Sequence, residues 1–155
     1  MGMSIVQQRL AAAGITLPDP VAPIANYVPF VRVGAIVHIS GQVSLDAGGG
    51  ITGIVGVDVD RDTAVQAARL CGINLLAQMR AACDGDLDRV VRVVKLGGFV
   101  QAGPDFYDIP AVINGCSDVM VEAFGDAGRH ARSAVGVYRL PRNFAVEVDA
   151  VVEVV

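Results

Sequence analysis

The sequence predicts an α+β domain in which helices stack on one face of a mixed sheet, and three observations carry that expectation. Helical and strand-like stretches alternate along the chain. Two long helical stretches carry apolar residues at helical spacing, and Phe144 to Val154 places apolar side chains at every second position. With 155 residues, of which 53% are hydrophobic and 18% charged, the chain suits one domain over 1–155 whose core needs neither disulfides nor structural metal. The apolar surplus points to surface covered by further subunits.

The first element is a short helix at about 4–13, with Ser4 as its start signal, Ile5, Leu10 and Ala13 at helical spacing, and Gly14 past its end. Residues 15–27 contain three prolines and form an irregular connector. Tyr27 to Val33 and Ile36 to Ser40, separated by Gly34, read as strands, and a glycine-rich surface loop follows Gln42. Asp62 to Cys83 is a long helix, with Asp60 and Asp62 beside its positive N-terminus. Leu87 to Phe99, dominated by valine, is a strand. Ala111 to Phe124 returns to helical periodicity and ends at Gly125.

The last two strands are expected to form a hairpin around the turn Leu140-Pro141-Arg142-Asn143. A tight turn pairs Arg139 with Phe144, Val137 with Val146, Val135 with Val148 and Ser133 with Ala150, which makes those valines a dry face. In that register Arg132, Ala134, Gly136 and Tyr138 share a face with Glu147 and Asp149. Arg132 and Glu147 are then offset by roughly 13 Å of strand rise. They must be joined by a substrate lying between them, by a bulge, or across a subunit boundary.

A net charge of −4 argues against nucleic acid or anionic membranes as partners, and no apolar run approaches a membrane span. Cys71, Cys83 and Cys116 are odd in number and far apart, so they read as reduced, buried thiols of a cytoplasmic protein. His38 and His130 lie at no metal-ligand spacing, and no metal is expected. Gly48 to Gly53 spells G-x-G-x-x-G but joins no strand to a helix, so it reads as a loop without a dinucleotide. The basic cluster Arg129, His130, Arg132, Arg139 and Arg142 is mostly a solvated face, Arg142 included. Arg132 stands apart because Ala134 and Gly136 leave room around a guanidinium whose planar fork suits a carboxylate.

Ala22-Pro23-Ile24 running to Tyr27, Ser40-Gly41-Gln42, Gln66 and Asn74, LDRVVRVVKL, and Arg132-Ser133 followed by LPRNFAVEVDA occur in an order that resembles the Rid family, also called YjgF, from about Pro20 onward. The resemblance implies a chorismate-mutase-like fold and a homotrimer with sites in the clefts between subunits. It also implies a cofactor-free deaminase that hydrolyses 2-aminoacrylate, 2-iminopropanoate or 2-iminobutanoate to 2-keto acids and ammonia. Carried over by position, Arg132 binds the substrate carboxylate, Glu147 handles the water, Tyr27 lines the cleft, and Ser40, Gly41, Asn114 and Ala134 complete the substrate site. Ala134 stands where family deaminases often carry Cys or Thr, and Asn26-Tyr27 replaces the usual Pro-Tyr. With the extra N-terminal helix and a longer loop at 102–110, the chain resembles a divergent branch.

Two further readings stand beside the deaminase. One is a non-catalytic trimer that binds a carboxylate metabolite through the same arginine. The other is an endoribonuclease, against which stand the negative charge, the lack of an aromatic stacking pattern and the absence of a histidine pair.

Overall fold

The computed structural model describes residues 2–155. The order is α1 (Ile5–Ala12), β1 (Phe30–Val33), β2 (Ile36–Val43), α2 (Arg61–Ala82), β3 (Val90–Gln101), α3 (Ile109–Phe124), β4 (Ala131–Val137) and β5 (Val146–Val154). Single 3₁₀ turns cover Leu87–Arg89, Gly125–Gly128 and Pro141–Asn143. Residues 27–29, expected as strand, lie outside β1.

Local chemistry explains the helix ends. Ser4 and Gln7 form a reciprocal capping box on α1, and the Asp60 carboxylate accepts from the Thr63 N–H at the start of α2. In α2, Ala67, Ala68, Cys71, Leu75 and Met79 fall on one buried stripe. Val112, Cys116, Val119 and Ala123 do the same in α3. The two helices approach closely at Gly115, where any Cβ would strike the Val65 carbonyl.

The sheet runs β1-β2-β5-β3-β4, antiparallel except for the parallel β3–β4 pair. This overturns the expected terminal hairpin. Strands β4 and β5 are not neighbours, because β3 lies between them and pairs with both. The cause is α3: a crossover helix from β3 returns β4 parallel to it, leaving β5 to fill the sheet's centre between β2 and β3.

The expected dry face of β5 holds, since Val146, Val148, Ala150, Val152 and Val154 are all buried beneath the helices. That of β4 is reversed. Ser133 and Val135 are exposed, whereas Arg132, Ala134 and Gly136 pair with Leu96, Gly98 and Val100 and lie on the helix-covered side. The fold is an α+β mixed sheet with its helices on one face.

Candidate functional site

Two groups of the candidate residues come together, and they are separate from each other. The first surrounds Glu147. Between Ile39, which pairs with Ala150, and Gln42, which pairs with Val148, strand β2 has one more residue than β5. The resulting bulge at Ser40-Gly41 tilts the backbone toward its neighbour. Ser40 is tied down twice, by its N–H to the Pro29 carbonyl and by its hydroxyl to the Val28 carbonyl. A Cβ on Gly41 would collide with the Glu147 carboxylate, so glycine here lets that carboxylate lie where it does and a larger residue would displace it.

Around this point a cleft is lined by Pro23, Ile24, Tyr27, Ser40, Gly41, Phe144 and Glu147. Glu147 is half-buried, and burial, reinforced by the neighbouring charge of Asp149, holds its carboxyl above the usual range. Asp149 is itself raised by burial, opposed by the Gly97 N–H and Lys95. A carboxylate so placed can take and return a proton near neutrality more readily than an ordinary glutamate.

The second group surrounds Arg132. Its Nη1 donates to Asn114 Oδ1 at 2.8 Å and to Ser117 Oγ at 3.1 Å, and its Nη2 donates to the Pro110 carbonyl at 3.4 Å. Pro110, Asn114 and Ser117 are spaced to share one face of α3, so the helix engages both terminal nitrogens. The donors left over are Nε–H and one hydrogen of Nη2, a pair that can serve a carboxylate. Ala134, two residues on, lies on the same face of β4 against the core.

Arg132 and Glu147 do not share a face. Arg132 pairs with Leu96 and Glu147 with Phe99, residues that point to opposite sides of β3. Strand rise and spacing place their backbones roughly 14 Å apart, with the sheet between their side chains. The expected common face is therefore not formed, and neither a substrate lying along it nor a bulge between β4 and β5, which are not neighbours, joins the two residues. The incorrect hairpin register caused these expectations.

Sequence reasoning missed Ser117 as a partner of Arg132, and His130 as the partner of Ser117, although Asn114-x-x-Ser117 at helical spacing was the available signal. Arg142 is exposed, as expected of it, and it also lines the Glu147 cleft, with its guanidinium 5.8 Å from the Phe144 ring. Buried Gln101 fixes the turn that carries it, accepting from the Leu140 N–H and donating to Asn143 Oδ1 and the Gly53 carbonyl. Arg142 and Asn143 both take left-handed backbone conformations there, at φ 55° and 64°.

The cysteines are core residues. Burial pushes the Cys116 thiol up to about 12 and Cys71 well above its ordinary value, so neither is a nucleophile. Among the described residues, no three His, Cys, Asp or Glu side chains converge as metal ligands, and no helix is long and apolar enough to cross a membrane.

Comparison with known proteins places this architecture. Residues 7–153 match the family model described as "YjgF/chorismate mutase-like, putative endoribonuclease". The chain belongs to this YjgF/RutC family, and its fold is chorismate-mutase-like. Protein TCP17 of Trypanosoma cruzi is 48% identical, over 97% of this chain and 98% of its own. The 2-iminobutanoate/2-iminopropanoate deaminase of Dermatophagoides farinae is 33% identical, over 89% of this chain and 93% of its own. The crystal structure of Atu1372, a protein of unknown function from Agrobacterium tumefaciens, superimposes with a TM-score of 0.91 at 46% identity, covering 97% of this chain and 92% of that one.

Proposed function

We propose that the protein hydrolyses 2-imino acids and their enamine tautomers to 2-keto acids and ammonia, in a homotrimer whose neighbouring copies complete each other's sites. The observation that carries this reading is the division of the candidate residues. A proton-handling carboxylate occupies one cleft, a carboxylate-binding fork is presented at the far edge strand, and the sheet separates them. A site using both must draw them from two copies. The deaminase relative supports the chemistry, and the fork's open side supports a carboxylate substrate.

In this reading Arg132 holds the substrate carboxylate and fixes the imine carbon beside a water at Glu147. The water oxygen bonds to the imine carbon while its proton passes to Glu147. Glu147 returns that proton to nitrogen. The carbinolamine hydroxyl then gives its proton to Glu147, which passes it to nitrogen, and ammonia leaves as the carbonyl forms, so the net reaction consumes one water. Imine hydrolysis is already fast in water, so orientation and one proton shuttle suffice.

The test is ammonia release from freshly generated 2-iminopropanoate and 2-iminobutanoate, with and without the protein. Acceleration that survives dialysis against a chelator is expected. Binding of 2-oxobutanoate without acceleration would instead establish the non-catalytic carboxylate-binding reading.

A further inference from the structure

Behind Arg132 lies a chain of hydrogen bonds whose direction can be read. His130 Nδ1 is 2.6 Å from the Gly128 carbonyl oxygen, and His130 Nε2 is 2.9 Å from Ser117 Oγ. A carbonyl only accepts, so Nδ1 carries the ring's hydrogen. Burial is the main cause holding the ring below its ordinary value of 6.5, the Gly128 hydrogen bond opposes it in part and the Arg132 charge adds to it, so the imidazole is mostly neutral at pH 7. Its Nε2 is then a bare acceptor. Ser117 must give its only hydrogen to Nε2, which leaves its oxygen lone pairs to face Arg132 Nη1 at 3.1 Å.

We propose that Ser117 and His130 are positioning residues for Arg132: through this one-way relay they hold Nη1 against α3 and thereby present the Nε–Nη2 side to a planar carboxylate. This rests on the reading that Arg132 binds the substrate carboxylate. Without the histidine acceptor, the Ser117 hydroxyl is free to rotate and turn its hydrogen toward the guanidinium, and one inner anchor of the fork is lost. Asn114 alone cannot replace it, because Nη1 has two hydrogens and Asn114 takes one.

A different role for the Ser–His pair, as nucleophile and base, does not fit. Ser117 lies within α3, where backbone N–H groups are committed to the helix and none is free to form an oxyanion hole. Its oxygen also already accepts from Arg132.

The experiment has two parts. Long-range ¹⁵N–¹H correlation of the histidine side chains in the intact protein at pH 7, with His130 assigned by its loss in His130→Leu, should show the Nδ1-protonated tautomer. The Nε2-protonated form would overturn the relay.

The second part measures the Kd for 2-oxobutanoate. Ser117→Ala and His130→Leu should each weaken binding by about tenfold, the scale of one contact to a charged group. His130→Gln, whose amide oxygen can still accept from Ser117, should stay within about threefold. In an Arg132→Lys background, Ser117→Ala should cost less than about twofold, since no fork remains to be held. Equal losses in both backgrounds would overturn the proposal while sparing the carboxylate reading. Unchanged binding in Arg132→Lys and Arg132→Ala would remove the carboxylate reading itself.

Discussion

At the scale of single residues, the candidate site contains two side chains whose surroundings give them opposite tasks. Arg132 loses conformational freedom, because three acceptors on α3 fix its terminal nitrogens. Arg132→Ala should therefore lower kcat/KM for a 2-imino acid by roughly 30-fold to 1000-fold, the loss of a charge-assisted bidentate contact, and Arg132→Lys should recover only part. A fall shared equally by a neutral substrate amide would show that the arginine does not read the carboxylate. Glu147 is the reverse case, a carboxylate kept in a place that disfavours its charge. Because its folded-state pKa is raised, its favourable contribution to stability is full below the ordinary value near 4.5 and is lost as pH rises through the folded value. Glu147→Gln should thus raise the Tm at pH 7, with the gain vanishing near pH 4, while removing roughly 10²-fold or more of the turnover. Differential scanning calorimetry at the two pH values, beside an ammonia assay, checks both halves, and a Tm that falls at pH 7 would contradict the burial argument.

Among the elements, α1 shows how a side chain from elsewhere fastens a helix that is too short to stand alone. Asp88, in the turn before β3, accepts from the backbone N–H groups of Ile5 and Val6, each at 2.9 Å. The Val6 N–H is the main reason its carboxyl lies below the usual range. Asp88→Ala should cost about 1 kcal/mol and speed amide exchange across Ile5–Leu10 more than in α2. Uniform acceleration through the whole chain would mean that the contact is part of the global core. The same scale shows what was legible beforehand. Helices α1, α2 and α3 could be read because their apolar residues repeat at helical spacing and their ends carry Ser4, Asp60 and Gly125. The alternation of β5 fixed its buried face, since period two survives any choice of neighbour. Which strands pair is a non-local property, and proximity in sequence was the wrong guide for β4 and β5. The sixteen residues of α3 between two strands were the overlooked sign of a parallel crossover. The bulge at Ser40-Gly41 was hidden for a related reason: it exists only in the register between β2 and β5. Glu147, Tyr27, Ser40 and Gly41 could nonetheless be grouped through the family resemblance, which carries register information that periodicity lacks.

For the whole molecule, the decisive feature is that one chain separates what the proposed reaction must combine. The uncovered face and the two edge strands of the sheet carry Val31, Val33, Val91, Val94 and Val135, all exposed, and a monomer would leave this apolar surface in water. The homotrimer proposed above predicts that sedimentation equilibrium gives about three times the 16.1 kDa chain mass. A sharper prediction follows from the opposite placement of Arg132 and Glu147. Suppose Arg132→Ala chains and Glu147→Gln chains, each strongly impaired alone, are unfolded together in equal amounts and refolded. If each site takes its arginine from one copy and its glutamate from the next, a site is intact when a Glu147→Gln chain supplies the arginine and an Arg132→Ala chain supplies the carboxylate. Random assembly meets both conditions in about one site in four, so the mixture should regain about a quarter of wild-type activity. Separately refolded variants mixed afterwards should regain activity only as fast as subunits exchange. A site contained within one chain gives a different result, because every chain in the mixture carries one lesion and no arrangement of copies repairs it. Refolded mixtures that form trimers yet stay as inactive as their parents would therefore exclude the shared site, whatever the oligomeric state.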